Sequence, residues 1–234
     1  MSRVFSGHQP NFIPYMGFFY KLFQSDVFVL DDDVQYSRSG LHNANFLNVN
    51  QTRHKITVPV SYKYGDKINE VEISYETDWI SKLLKTIQMS YGKTPYFEVG
   101  YDLIERNLSR KYKYLFNLNH SLITEMAKGF GLNARIVIAS ESVPTSLKKN
   151  QRNIYQCEKL GGDIYYSGTG GLAYNDEEEY KKNGIKIVYS DYSPVRYKQR
   201  GNAFIENLSA LDYIFYRGYV IPEEWERRDR GEWK

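Results

Sequence analysis

Short apolar runs and polar loops follow each other over the first 33 residues in an order that predicts a strand, a helix and a second strand. Residues 4–6 form a short run typical of a strand, which ends at the polar loop 7–11. Apolar side chains then recur at helical spacing over 18–23, and 27–30 has the pattern of a buried strand that ends at three aspartates. Two strands joined through one helix predict a βαβ crossover with parallel strands.

The middle of the chain has the pattern of a β-hairpin followed by amphipathic helices. Residues 46–49 and 55–60 predict two strands around the polar turn 50–54, and 69–74 alternates as a half-exposed strand does. We therefore expect residues 46–75 to form a β insertion. Helices follow, with apolar stripes over 80–87, 97–104 and 115–130 and with Asp78 as the N-terminal cap of the first. The apolar run 135–139 predicts a strand that is buried on both faces.

The last third repeats the alternation of helices and strands. A helix from about residue 150 is followed by a strand at 163–166, a polar helix at 176–182 and a strand at 185–189. A final helix has its stripe from Phe204 to Phe215, and a charged tail covers 222–234. The pattern predicts an α/β fold with a mainly parallel, Rossmann-like sheet and helices on both faces, in a single domain over residues 1–234.

Composition narrows the class of protein. Of the 234 residues, 41% are hydrophobic and 22 are tyrosines, so we expect a core that contains many hydroxyl groups. A net charge of +3 is too small to indicate a nucleic-acid partner. The single Cys157 excludes an internal disulfide and fits a reducing compartment. No apolar run reaches the length of a signal peptide or of a membrane span, so we expect a cytoplasmic protein.

The best candidate for chemistry is the polar loop after the first strand, which contains His8, Gln9 and Asn11. In parallel α/β sheets, ligands bind beyond the carboxyl ends of the strands. A histidine at such a strand end can act as a general base near neutral pH. The alternative is that these side chains only tie the loop together by hydrogen bonds.

The second candidate is the run of aspartates 31–33, which follows the second strand. Adjacent carboxylates repel each other unless a cation or amines neutralise them. Such a strand end can offer an aspartate to a metal, a ribose or an amine, or it can be a solvated turn. Neighbouring residues of a strand point to opposite sides, so at most two of the three face the site. We select Asp32 and Asp33.

The third candidate is the glycine-rich segment after the strand at 163–166, with Ser167, Gly168, Gly170 and Gly171. Its backbone N–H groups could approach a phosphate or an oxyanion, although a tight turn explains the glycines as well. The helical spacing of Cys157 places its thiol on the inward stripe of a helix, which favours a structural role. His42 and the amides of Asn43 and Asn45 could reach the same rim from their loop, with a solvent-exposed loop as the alternative.

Several motifs resemble those of the WbqC-like proteins. The motifs are residues 7–15, 17–19, 25–28 and 32–36, followed by 57–60, 95–97 and 117–119, and finally 157–162, 166–171 and 204–205. That family is associated with bacterial surface-polysaccharide gene clusters. The resemblance implies a role in attaching an acyl group or an amino acid to an amino sugar, as in O-antigen biosynthesis. The family's basic, tryptophan-bearing loop is replaced here by residues 39–45, so the substrate is expected to differ.

We therefore expect an acyl- or aminoacyltransferase that acts on the amine of a nucleotide-linked amino sugar. His8 is assigned as the base, with Asp32 or Asp33 orienting the amine or the imidazole. Substrate contacts are expected from Gln9, Asn11, Tyr15, Gln35, Asn43, Asn45, Ser167, Gly168, Gly170 and Gly171. We expect no cofactor and no metal, and an acyl carrier protein is a candidate partner. The alternatives are an ATP-using nucleotidyltransferase-like enzyme and a non-catalytic protein that binds a sugar nucleotide.

Overall fold

The computed structural model of the chain describes residues 3–226. The strands are β1 (Val4–His8), β2 (Val27–Leu30), β3 (Ala44–Val49), β4 (Thr52–Thr57), β5 (Val60–Ser61), β6 (Glu72–Ile73), β7 (Arg135–Ile138), β8 (Ile164–Ser167) and β9 (Lys186–Tyr189). The helices are α1 (Met16–Gln24), α2 (Trp79–Tyr91), α3 (Phe97–Ser109), α4 (Leu115–Gly129), α5 (Ala139–Ser142), α6 (Lys149–Lys159), α7 (Glu177–Lys182) and α8 (Ala210–Arg217). Short 3₁₀ helices lie at Ile68–Glu70 and Thr169–Ala173.

Five of these strands form one parallel sheet in the order β7-β2-β1-β8-β9. Helices pack on both faces, so the predicted Rossmann-like α/β fold with a mainly parallel sheet is confirmed. The order of the strands could not be predicted from the sequence alone. The chain starts in the middle of the sheet, runs outward through β2 to β7, and then returns to the other side of β1 for β8 and β9. This arrangement has the strand order of a doubly wound sheet.

The alternation of side chains along the strands divides the core into two parts. In β1 and β2, Val4 and Phe28 belong to the larger cluster on the face covered by α1, whereas Phe5 and Val29 belong to the smaller cluster. The smaller cluster also contains Cys157 of α6 and covers the opposite face. This period of two continues past the end of β2 and decides which face each of the following polar residues occupies.

The expected β insertion is present between β2 and β7. Strands β3 and β4 form an antiparallel hairpin, and β5 and β6 form a second small antiparallel pair. The turn of the first hairpin is shorter than the predicted 50–54. It contains only Asn50 and Gln51, both with positive φ (51° and 61°), and β4 already begins at Thr52. A two-residue turn with two positive φ values matches the twist of hairpin strands, which explains the tight connection.

Two predicted elements are wrong in their extent. The strand expected at 69–74 forms only at Glu72–Ile73, because its first two residues belong to the 3₁₀ helix that ends at Glu70. The final helix was expected to carry Phe204, but α8 starts at Ala210, where the side chain of Ser209 accepts a hydrogen bond from the Leu211 N–H. A serine cap marks the start of a helix, so the apolar residues before it pack from a segment that belongs to no helix.

Burial of the edge strand and the extent of the tail also differ from expectation. Strand β7 was expected to be buried on both faces, but Arg135 is exposed and Val137 is its buried residue, because β7 lies at the edge of the sheet. Of the predicted tail, the structure describes 222–226, in which Trp225 packs against Tyr20 and Phe23; residues 227–234 lie outside the described part. No helix within residues 3–226 has the length and apolar character needed to cross a membrane.

Candidate functional site

A cavity of about 420 Å³ lies at the carboxyl ends of β1 and β8. The order of the strands reverses between β1 and β8, and such a reversal opens a crevice where ligands bind in doubly wound sheets. Among the residues that line this strand-end cavity are His8 and Gln9 from β1 and its loop, Tyr15 and Lys21 from the crossover, Asp31 after β2, Asn153 of α6, Tyr165 and Ser167 of β8, and the following Gly168, Gly170 and Gly171. Residues that are far apart in sequence thus line one cavity.

The imidazole of His8 has a defined tautomer. Its Nδ1 lies 2.8 Å from the carbonyl oxygen of Gln9, which can only accept, so Nδ1 carries the hydrogen and Nε2 carries the lone pair. The half-buried ring packs edge-on against Phe18, with 4.9 Å between the ring centroids. Burial, and then the positive charge of Lys21, lower the pKa of His8 to about 4. The ring is therefore neutral at pH 7, and Nε2 is an acceptor.

Lys21 is a cation of the cavity that the sequence analysis did not select. It lies on α1, is 7% exposed, and its Nζ donates a hydrogen bond to the carbonyl oxygen of Gly7 at 2.7 Å. Burial lowers the pKa of Lys21 to about 8, and the charge of Asp31 opposes that shift. The sequence did contain a signal for this role: Lys21 stands among the apolar residues of 18–23, where a lysine must either reach water or find a partner.

Asp31 is the carboxylate that lines the cavity. Its Oδ1 accepts hydrogen bonds from Arg152 Nε at 3.1 Å, from Arg152 Nη2 at 2.9 Å and from Gln156 Nε2 at 3.0 Å. Burial raises the pKa of Asp31, and the guanidinium of Arg152 opposes that effect. The other oxygen, Oδ2, faces Gly7, because a Cβ added to that glycine would stand only 2.9 Å from it. A glycine at residue 7 thus keeps the space beside the carboxylate open.

Asp32 and Asp33 do not line the cavity, whereas Asp31, the first aspartate of the run, does. Asp32 accepts hydrogen bonds from Ser140 N at 2.9 Å, Ser140 Oγ at 2.6 Å and Asn69 Nδ2 at 2.8 Å, on the face of the larger cluster. Asp33 is bound by Arg152 Nη2 at 2.5 Å. The reason is the period of two: Asp31 and Asp33 point to the side of Arg152, and Asp32 points to the opposite side.

The glycine-rich segment forms the second wall. Ser167 Oγ accepts from Asn175 Nδ2 at 3.0 Å, and a Cβ at Gly171 would stand 2.1 Å from the same Oγ, so residue 171 must be glycine in this conformation. A Cβ at Gly168 or Gly170 would meet open space instead. The 3₁₀ helix begins at Thr169, and the first N–H groups of such a helix have no partner within it. They are the donors that this wall can offer.

The remaining predicted residues are divided between the cavity and the scaffold. Gln9 and Tyr15 line the cavity, and burial raises the pKa of Tyr15. Asn11 is 7% exposed and is not part of the cavity lining. Gln35 is exposed in a separate depression of about 370 Å³, which it shares with Tyr62. The structure therefore does not bring Asn11 and Gln35 to the lining of the strand-end cavity.

The amides of Asn43 and Asn45 are used within the fold. Asn43 accepts from Tyr36 Oη at 2.9 Å and donates to the Val58 carbonyl at 2.9 Å. Asn45 Nδ2 donates to the carbonyl oxygens of Phe12 at 3.0 Å and Ile13 at 2.7 Å. Both side chains are at most 9% exposed, so they fix loops behind the site. We leave them out of the substrate contacts on this ground.

Two further side chains bear on the possible chemistry. Cys157 is fully buried, and burial raises the pKa of its thiol to about 12, so it offers no thiolate near neutral pH. His42 is 1% exposed rather than solvated, and burial lowers its pKa. Within residues 3–226, no group of three or more His, Cys, Asp and Glu residues has the arrangement of a metal site.

Comparisons with known proteins agree on one family. The WbqC-like protein family matches residues 9–221 of this chain. The chain is also similar to the "Uncharacterized protein Rv1507c" of Mycobacterium tuberculosis (strain ATCC 25618 / H37Rv), with 29% identity over 219 residues that cover 92% of this chain and 94% of that protein. No solved structure matches the chain.

Proposed function

The chain belongs to the WbqC-like protein family, and from this membership together with the strand-end cavity we propose that it is an acyl- or aminoacyltransferase for the amine of a nucleotide-linked amino sugar. The observation that carries the proposal is the meeting of His8, Lys21, Asp31 and the glycine-rich segment around one cavity. An acceptor for a proton, a cation, a carboxylate and free backbone donors are the groups that acylation of an amine on a phosphorylated sugar requires.

The cavity suits the sugar and the adjoining phosphate of such a substrate. Its volume of about 420 Å³ lies in the lower part of the range for small-molecule sites. We assign the binding of the phosphate to Lys21 and to the first N–H groups of the 3₁₀ helix, at Thr169 and Gly170, because these residues line the cavity. Tyr15 and Gln9 offer a ring and an amide to the sugar.

In the transfer step, the amine nitrogen attacks the carbonyl carbon of the donor. The C–N bond forms, the bond between the carbonyl carbon and the leaving group breaks, and the electron pair of that bond goes to the leaving group. The amine loses one proton, which His8 Nε2 accepts and then passes to the leaving group. Asp31 Oδ2 accepts a hydrogen bond from the amine and thereby directs its lone pair toward the donor.

The low pKa of His8 is expected to rise when a phosphate-bearing substrate binds. A bound phosphate would offset the charge of Lys21, which is one of the two main causes of the low pKa. Substrate binding is therefore expected to raise the basicity of His8 at the point where a base is needed. The neutral imidazole of the free protein keeps Nε2 available to accept a hydrogen bond from the incoming amine.

The experiment that tests the function is a mass-spectrometric search for a product. The purified protein is incubated with a nucleotide-linked amino sugar and, separately, with acyl thioesters, acyl adenylates and amino acids plus ATP. A product heavier by one acyl or aminoacyl group, which is absent from a His8→Ala reaction, supports the proposal. Binding of the sugar nucleotide without consumption of any donor would instead identify a non-catalytic sugar-nucleotide-binding protein.

A further inference from the structure

A second and larger cavity, of about 960 Å³, lies away from the strand-end cavity, between the end of α2, the segment 198–200 and the end of α8. We call it the basic groove. Its side chains include Lys93, Lys198, Arg200 and Arg217 around Met89 and Tyr216. No acidic residue lines it, and none of the four cations has an ion pair within the described part of the chain. Met89 is 74% exposed.

Helix ends explain the positions of only two of the four cations. Lys93 follows the carboxyl end of α2 and Arg217 is the last residue of α8, and cations at such ends are favoured by the helix dipole. Lys198 and Arg200 belong to no helix or strand. Four exposed like charges that line one groove favour the binding of an anionic ligand.

The segment with Lys198 and Arg200 is held in place by hydrogen bonds. The N–H of Arg200 donates to Tyr216 Oη at 2.9 Å, and its carbonyl accepts from Asn48 Nδ2 at 3.1 Å. Gln199 is 8% exposed, and its amide exchanges hydrogen bonds with the backbone of Ile205 at 2.8 and 3.1 Å. Hydrogen bonds on both sides therefore fix the backbone of the segment that carries Lys198 and Arg200.

The buried carboxylate of Asp212 holds Tyr197 and Gln199 of this segment by hydrogen bonds. Asp212 is fully buried and accepts hydrogen bonds from Tyr91 Oη and Tyr197 Oη, each at 2.6 Å, and from Gln199 Nε2 at 3.3 Å. Burying a carboxylate costs free energy that such bonds must offset. The network joins α2, α8 and the segment 197–199, which are the elements that form the basic groove.

A short stretch of the chain connects the basic groove with the strand-end cavity. The ring of Tyr192 packs against Tyr15 of that cavity, with 6.3 Å between the centroids. Lys198 lies six positions after Tyr192, so their Cα atoms are at most about 21 Å apart. A ligand with an anionic end in the groove and an extended arm could therefore bring its other end toward the strand-end cavity.

We infer that the basic groove binds the phosphate-bearing part of the acyl donor, of the phosphopantetheine type, with the apolar portion of the ligand on Met89 and Tyr216. The role as donor site rests on the proposed function, but the binding itself does not. The same chemistry is present in free coenzyme A and in the prosthetic arm of a carrier protein. Both carry phosphate next to a long, weakly polar chain, which fits cations around an apolar floor.

Calorimetric titration of the full chain tests the inference without any turnover. The probes are coenzyme A, a carrier protein with its phosphopantetheine arm, and inorganic pyrophosphate. The Lys198→Ala/Arg200→Ala variant removes the two cations that no helix end explains. The control is Lys82→Ala/Lys85→Ala, which removes two exposed cations of α2 that do not line the groove. All four side chains are exposed, so both variants are expected to fold, which circular dichroism checks.

We expect coenzyme A or the carrier protein to bind the wild type, and the groove variant to bind at least about tenfold more weakly while the control is unchanged. Whichever of the two probes binds identifies the source of the ligand. Three outcomes would overturn the inference: no binding of either probe, equal binding by the groove variant, or pyrophosphate binding as tightly as coenzyme A. Groove-dependent binding without any product would leave the inference standing and contradict the proposed function instead.

Discussion

At the scale of single residues, the strand-end cavity combines a neutral base with a cation of weakened basicity. His8 has its pKa lowered to about 4 and Lys21 to about 8, so near pH 7 the imidazole is uncharged and the amine is mainly protonated. Each shift has burial as its largest cause. The pair therefore offers an acceptor and an anion-binding charge in the same pH range, between about 4 and 8, as the proposed transfer requires.

Replacement of His8 tests its assigned role. If the imidazole accepts the amine proton, His8→Ala is expected to lower turnover of the proposed transfer by about a hundredfold or more. Steady-state kinetics with the identified donor measures this. His54→Ala is the control, because His54 is exposed on β4. Wild-type turnover in a folded His8→Ala protein would remove His8 from the mechanism.

Replacement of Lys21 tests the electrostatic link within the cavity. The charge of Lys21 is the second cause of the low pKa of His8, so Lys21→Met is expected to raise that pKa. The value should stay below the ordinary 6.5, since burial remains. An NMR titration of the His8 imidazole measures the shift, and Lys85→Met, a change on exposed α2 surface, serves as the control. An unchanged pKa of His8 would contradict the described proximity.

The sequence alone did not predict which aspartate lines the cavity, although the alternation of side chains along a strand could be expected. The period of two separates Asp32 from its neighbours, but it does not tell which face leads to the ligand. That depends on Arg152 and Gln156 of α6, more than a hundred residues later. Local patterns predicted the loop with His8 and the glycine-rich segment because both follow directly from strand ends, whereas Lys21 lies within a helix and follows no strand end in the sequence.

At the scale of elements, buried polar pairs join helices to the sheet. Arg152 of α6 binds both Asp31 and Asp33, and its side chain is 9% exposed. Arg152→Met would leave two carboxylates without their cation, which is expected to lower the free energy of unfolding by about 3 kcal/mol. Urea unfolding measures this, and Arg196→Met, which removes an exposed arginine, is the control. Equal unfolding midpoints for the two variants would contradict the structural role of Arg152.

The contact between α2 and α8 includes a hydrogen bond from one tyrosine hydroxyl. Tyr91→Phe removes the bond to buried Asp212 and is expected to lower the free energy of unfolding by about 1–3 kcal/mol. Tyr64→Phe, at a side chain that is 98% exposed, should change it by less than about 0.5 kcal/mol. Thermal unfolding of the two variants side by side measures the difference. A Tyr91→Phe protein as stable as Tyr64→Phe would count against the network.

Elements with strong local patterns could be predicted, and those that depend on distant contacts could not. The cap at Asp78 is confirmed, with its side chain accepting from Ser81 N, as is the strand at Val27–Leu30. The stripe from Phe204 was misassigned because Phe204 belongs to no helix and packs against Tyr197, so its spacing to α8 is accidental. Periodicity alone does not separate these cases, since both bury the same residue types.

At the scale of the whole molecule, the strand order gives the cavity its place. With β1 in the middle and the chain leaving it on both sides, the loops after β1 and β8 diverge and leave a crevice at the reversal. The sequence predicted strands that are parallel and polar at their carboxyl ends, but no local signal tells that β8 pairs with β1. The meeting of His8 with Gly168 and Gly170 therefore became visible only with the fold.

The central claim is that the amino-sugar nucleotide binds in the strand-end cavity, and a crystal structure with that ligand tests it most directly. We predict a phosphate within hydrogen-bond distance of Lys21 and the N–H groups at Thr169 and Gly170, with the sugar amine beside His8 Nε2 and Asp31 Oδ2. Density for the ligand in the basic groove or elsewhere, with the strand-end cavity unoccupied at a saturating ligand concentration, would contradict the claim.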